Sequence, residues 1–166
     1  MGAYVTLLAN ARNLGAFMPT VHLPDRARFT VTGDDATHFL QSLITTDLDH
    51  MGDAEWKPGA LLTAQGKVQF AFLVARQGQG FALEAATADA AALAKRLGFY
   101  KLRSKVMISL PEPVAVAVGW GGVEPPVEPA FADSRFGGIP VWRAAISGPF
   151  TGDPDEWNLL RISHGV

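Results

Sequence analysis

Between residues 60 and 85 three apolar runs follow one another with only two to four residues between them. The runs are residues 60–64, 67–76 and 81–85, and the breaks are Gln65-Gly66 and Gly78-Gln79-Gly80. A break that short cannot hold the crossover that a parallel pair of strands requires, so the runs are read as neighbouring antiparallel strands turning at glycine. That excludes a purely parallel α/β sheet and an all-helical fold. It leaves sheets built from hairpins, with helices added outside them.

The flanking sequence supplies those helices. Residues 27–33 alternate and are β-branched, which predicts a strand ending at Gly33. Asp34 or Asp35 then caps a helix through about Leu43, with Phe39, Leu40 and Leu43 on one face. Residues 45–58 are polar and predict surface loop. Thr87 caps a second helix carrying Ala90, Leu93, Leu97 and Tyr100, and residues 106–110 predict another strand. Pro111-Glu112-Pro113 breaks the pattern. Beyond it, residues 114–120 and 139–145 predict strands, residues 121–129 a loop, and residues 153–164 a helix with Pro154 in its first turn. The fold class is therefore α+β. Three segments are expected: an upstream extension over 1–17 with Met18 as the natural start, a first α+β unit over 18–111, and the beginning of a second over 112–166.

Several function classes drop out. The chain has no cysteine, which removes disulfide frameworks, thiolate nucleophiles and Cys-ligated metal sites. A formal charge of −2 provides no overall basic field for nucleic acid, so no direct nucleic-acid partner is expected. No apolar run reaches the ~20 residues needed to span a bilayer, so no membrane partner is expected either. The first residues lack the positive start of a secretory signal, and Arg12 alone is thin support for a transit peptide. A cytoplasmic location is expected. His22, His38, His50 and His164 share no i, i+3 or i+4 spacing, so they are read as ordinary histidines and no metal is expected.

Two short stretches leave alternatives open. Gln65-Gly66-Lys67 is either a plain hairpin turn or a sheet-edge site where backbone donors and a cation meet an anionic tail. Tyr100-Lys101-Leu102-Arg103-Ser104-Lys105 is either a helix end whose cations suit the dipole or a patch touching nucleic acid.

Taken together, five segments resemble the YgfZ/GcvT folate-binding family. They are Arg26-Ala-Arg-Phe-Thr-Val-Thr-Gly-Asp-Asp-Ala, Phe39-Leu-Gln-Ser-Leu-Ile-Thr-Thr-Asp, Leu61-Leu-Thr-Ala-Gln-Gly-Lys-Val, Tyr100-Lys-Leu-Arg-Ser-Lys-Val and Trp157-Asn-Leu-Leu-Arg-Ile-Ser-His-Gly. The match runs in register over roughly residues 18–166. The resemblance implies a ring-like α+β fold with tetrahydrofolate in a central hole. One branch of the family comprises glycine-cleavage aminomethyltransferases. The YgfZ branch binds folate and supports iron–sulfur proteins, including enzymes that modify tRNA.

In the transferases an Asp pair follows the glycine that aligns with Gly66. Here Phe70 and Ala71 stand in its place, and neither side chain can accept a proton. With Gly66-Lys67 in place of a Gly pair, this favours the YgfZ branch, with no catalytic residue assigned and the aminomethyltransferase as the alternative. The resemblance implies cofactor contacts at Arg26, where the branch has an aromatic residue, and at Trp157. Trp157 either stacks on the folate ring system, worth roughly 0.5–1.5 kcal/mol beyond burial, or anchors the last helix in the core. Gln41, Thr45, Gln65 and Lys67 are implied to line the same cleft. The branch also carries a downstream Lys-Gly-Cys-Tyr-x-Gly-Gln-Glu segment. The sequence stops at Gly165-Val166, ahead of it, so a fragment or a truncated gene product is expected, with the fold incomplete at its C-terminus.

Overall fold

The computed structural model describes residues 20–121, 130–146 and 152–166. The strands are β1 (Thr20–Leu23), β2 (Arg26–Thr32), β3 (Glu55–Leu62), β4 (Val68–Gln77), β5 (Gly80–Ala86), β6 (Met107–Ile108), β7 (Glu112–Pro113), β8 (Val116–Trp120), β9 (Ala130–Asp133) and β10 (Val141–Ala145). The helices are α1 (Ala36–Gln41), α2 (Thr87–Tyr100) and α3 (Pro154–Ser163).

The antiparallel meander expected over residues 60–85 is present. β3 pairs with β4 and β4 with β5, with Leu61 opposite Phe70 and Leu73 opposite Glu84. The first turn closes on Thr63, whose carbonyl accepts from the Gly66 amide at 2.9 Å, while its own amide donates to Lys67 at 2.8 Å. Gly66 sits at φ +78°, where a side chain would be strained. β2 joins the far side of β5 with Phe29 opposite Leu83, and β6 and β7 cap the other edge of β2.

Alternation along these strands separates two faces. One carries Phe29, Val31, Phe72, Val74, Phe81 and Leu83, and it buries them against Phe39 and Leu40 of α1 and Leu93 and Leu97 of α2. A fully buried Leu or Phe of this kind contributes about 1.5–3 kcal/mol. The other face carries Trp56, Leu73, Ala75 and Ala82, together with the charged side chains of Arg28 and Glu84. Residues 80–85 are buried throughout because both faces of β5 are covered.

A second set of strands runs β1-β8-β10-β9 and is antiparallel within itself. α3 lies on one side of it, where Val21, Val116, Val118, Phe136, Val141 and Trp157 form a separate core. Asp153 caps α3 by accepting from the Asp155 amide at 2.9 Å, and Pro154 occupies the first turn as expected.

Three features differ from the sequence reading. β1 was expected with the first unit, yet it pairs with β8, so the second sheet is assembled from both ends of the chain. Residues 55–58 were read as loop, but they begin β3, whose Glu55 and Trp56 pair in parallel with Ala132 and Asp133 of β9. That short parallel join makes the two sets of strands one continuous sheet. Lys57, Pro58 and Gly59 hide the strand from propensity, and tertiary pairing overrides them. Finally, neither Asp35 nor Thr87 caps its helix through a side chain; the Asp35 carboxylate instead accepts from the Lys105 amide at 2.7 Å.

Candidate functional site

Glu84 lies in the middle of an apolar run, and Arg143 stands in Val-Trp-Arg-Ala-Ala. Each is a charge in a strand that has nowhere wet to point it. The fold resolves both problems by bringing them together. Arg143 of β10 hydrogen-bonds Oε1 of Glu84 through one terminal nitrogen and reaches Asp133 Oδ2 at 3.2 Å through the other. Arg28 of β2 donates to the second Glu84 oxygen at 2.9 Å. Arg135 grips Asp133 with two bonds, at 2.8 and 2.6 Å. The Glu84, Asp133 and Arg143 side chains are almost completely buried, so this is an ionic network inside the molecule, between the meander and the second set of strands.

Removing such charges from water is costly, and only complete pairing offsets it. Burial by itself pushes the Glu84 carboxyl up, but Arg143 and Arg28 more than compensate and hold it below the usual range. Asp133 is likewise raised by burial and brought below its ordinary value by the Arg135 hydrogen bonds and charge, then by Arg143. Both groups are carboxylates at neutral pH and poor proton acceptors.

The cations outnumber the anions here. Arg26, two residues before Arg28 on the same face of β2, is half-buried, and no carboxylate among the described residues pairs with it within salt-bridge distance. Its pKa is lowered by burial first and by the Arg143 charge second, with Arg135 and Arg161 adding to the repulsion and Glu84 opposing it. Nε of Arg28 and of Arg161 are buried without a hydrogen-bond partner. Beside Arg28 is a cavity of about 340 Å³ lined by Arg28, Asp53, Trp56, Arg76 and Phe131, with Asp53 3.9 Å from Arg76. The Arg28 guanidinium lies 4.7 Å from the Trp56 ring centroid, and Trp56 meets Phe131 edge-on at 6.1 Å. Arg76 is committed to the loop before β3, donating to the Met51 and Leu48 carbonyls at 3.0 and 2.6 Å. Surplus guanidinium donors beside flat aromatic surface suit an anionic ligand with a planar part. This donor set fits a folate, whose tail is carboxylate and whose head is a flat ring system.

The six residues expected to bind cofactor are not gathered into one group, and none hydrogen-bonds another. Arg26 is half-buried on β2, two residues before Arg28, and is not part of the lining of the cavity beside Arg28. Gln41 ends α1, and its side-chain oxygen accepts from the Leu48 amide at 2.8 Å. Thr45 lies beside β3, its hydroxyl accepting from the Ala60 amide at 3.0 Å. Gln65 and Lys67 are exposed at the β3–β4 turn. The Gly66 and Lys67 amides there are taken up by Thr63, so this turn offers an anion the Lys67 ammonium rather than those two backbone donors. Trp157 is 3% exposed, in the second core, packed between Trp120 and Phe136 at ring distances of 5.8 and 5.3 Å. Of the two roles open to it, packing is the one its surroundings supply, and no indole face is left open for stacking. Among the described residues no group of His, Asp and Glu could hold a metal.

The sequence reading missed Arg28, Trp56, Glu84, Asp133 and Arg143. The signal that could have found them is the charge stranded inside an apolar strand, at Glu84 and at Arg143, since each demands an opposite charge from elsewhere in the fold.

The fold has a counterpart in the glycine cleavage system aminomethyltransferase T of Bartonella henselae. The match has a TM-score of 0.60 over 75% of this chain and 40% of that one, at 14% identity. The fold is therefore GcvT-like. No family model matches the chain. Its sequence is 33% identical over 111 residues to a mitochondrial iron-sulfur cluster assembly factor IBA57 homolog of Neurospora crassa, covering 61% of this chain and 25% of that protein. It is 30% identical over 139 residues to the tRNA-modifying protein YgfZ of Cronobacter sakazakii, covering 83% of this chain and 36% of that protein. This is a YgfZ/GcvT-like chain, and it spans about a third or less of the length of these curated relatives.

Proposed function

We propose that this chain is part of a tetrahydrofolate-binding protein that supports iron–sulfur enzymes, including those that modify tRNA. The relatives bear names from iron–sulfur assembly and tRNA modification. The observation that carries the folate part is the surplus of guanidinium over carboxylate among the described residues around Arg28, with no described carboxylate within salt-bridge distance of Arg26 on the same strand. Arg26 receives a folate carboxylate, Lys67 at the hairpin tip is a second cation for the tail, and Gln65 lies beside it. Gln41 and Thr45 hold the backbone at Leu48 and Ala60.

The alternative is a folate-dependent aminomethyltransferase. Phe70, half-buried against the first core, and the exposed Ala71 supply no acid where that chemistry places one. Glu84 and Asp133 do not substitute for it, because paired carboxylates held below their ordinary pKa are weak bases.

Calorimetric titration with a stable reduced folate tests the main reading. Binding is expected, weakened about tenfold or more in Arg26→Ala, as for loss of a charged hydrogen bond. No heat with the unaltered chain, or equal affinity in Arg26→Ala, would overturn it. Turnover with an aminomethyl-loaded lipoyl carrier protein would establish the alternative.

A further inference from the structure

We propose that the surface around the C-terminal end of α2 docks an acidic, amphipathic segment of a partner protein. The proposal is independent of the folate reading, and its residues lie apart from the arginine-rich cleft.

The surface is unusual in two respects that coincide. It is apolar and exposed: Phe99 is 63%, Leu102 89%, Met107 69% and Leu110 84% accessible. It is also strongly cationic. Lys95, Arg96, Lys101, Arg103 and Lys105 lie within eleven consecutive residues that contain no Asp or Glu, on a chain of net charge −2. A run of lysines alone would be a solvated face, and a lone exposed leucine would need no explanation. Large apolar side chains set among cations form a surface complementary to apolar side chains set among carboxylates.

The backbone presents this surface deliberately. Leu102 has φ +39°, the only non-glycine residue with positive φ among those described. The left-handed region costs a leucine roughly 1–2 kcal/mol, and such strain persists only where the surroundings impose it. Here Ser104 N donates to the Lys101 carbonyl at 2.7 Å, and Lys105 N donates to Asp35 Oδ2 at 2.7 Å. Gly33 allows the close approach, since a Cβ there would collide with the Lys105 carbonyl. The chain thus bears strain at Leu102 and gains no burial of that side chain in return.

Two shallow surfaces lie along this stretch, one including Leu102 and the other its neighbour Lys101. One, of about 690 Å³, is lined by Tyr100, Leu102 and Arg103; the other, of about 390 Å³, is lined by Lys95, Lys101 and Leu110. Anchors along this stretch suit the apolar face of a helix, with carboxylates on its flanks meeting the lysines and arginines. Aliphatic anchors outnumber aromatic ones, which favours a protein over stacked bases.

The probe is a fluorescein-labelled helical peptide of about 18 residues, with leucine along one face and glutamate on the other. Its binding to the whole chain is followed by anisotropy. Salt-sensitive binding is expected, weakened about tenfold or more by Leu102→Gly, as for loss of a central anchor. Leu102→Gly should keep or raise the melting temperature, because glycine accepts this φ, so lost binding cannot be ascribed to unfolding. Arg103→Glu with Lys105→Glu should abolish binding and restore it toward a lysine-for-glutamate peptide. The proposal fails if the acidic peptide does not bind, if Leu102→Gly binds it unchanged, or if the lysine peptide binds the unaltered chain as well. It also fails if single-stranded RNA, phosphatidylserine vesicles or a second copy of the chain occupies these residues while the peptide does not.

Discussion

The two faces of the β2–β5 sheet are both buried, yet by opposite means. The face under α1 and α2 is hydrocarbon, with Phe29, Val31, Val74, Leu83, Leu93 and Leu97 all at or near zero exposure. The face toward the second set of strands buries Glu84, Asp133 and Arg143 just as deeply. Apolar contact is non-directional and tolerates some repacking. The ionic face is stable only while each member keeps its partners. The first face supplies stability to the fold. The second joins β10 and β9 to the meander through buried ion pairs.

Removing one member of the ionic network should have the largest effect. Arg143→Met leaves two buried carboxylates short of a cation and should cost about 3–5 kcal/mol in urea unfolding. Arg143→Met combined with Glu84→Gln should recover part of that loss, since a neutral amide needs no charge partner; additive losses would break the comparison. Leu83→Ala on the hydrocarbon face should cost about 2–5 kcal/mol, with the value set by the cavity left behind.

Acid should separate the two faces. Glu84 and Asp133 are held below their ordinary pKa, so their contribution is fully present above the unfolded values near ~4. It is lost as pH falls through the lower folded values. The melting temperature should therefore drop from about pH 4 downward. Leu83→Ala should run parallel to the unaltered chain over that range. Arg143→Met should drop less steeply, because its carboxyls no longer sit as far below their unfolded values. The smallest effect is expected away from both faces: Asp153→Ala removes the α3 cap and should cost about 1 kcal/mol in urea unfolding.

Much of the hydrocarbon side was legible in the sequence. The period-2 runs with glycine at Gly66 and Gly78 predict the meander, and Ala90, Leu93 and Leu97 at helical spacing predict the buried face of α2. The class, α+β, follows from their order. The ionic side was not legible to the same degree. Glu84 and Arg143 are 59 residues apart, and no local pattern links them. Nor does propensity show β3 starting at Glu55, or β1 crossing to β8, because both depend on a neighbour supplied from elsewhere in the chain.

By itself, then, the sequence determined the β3–β4–β5 meander, β2 and the three helices with their apolar faces, because those properties depend on neighbours one to four residues away. It also determined that no acid stands at residues 70 and 71. Only the tertiary structure decided that Glu84, Asp133, Arg28 and Arg143 would meet, and that Trp157 would be packed inside. The physical reason is range. Propensity and periodicity act along the chain, whereas the partner of a buried charge is chosen through space.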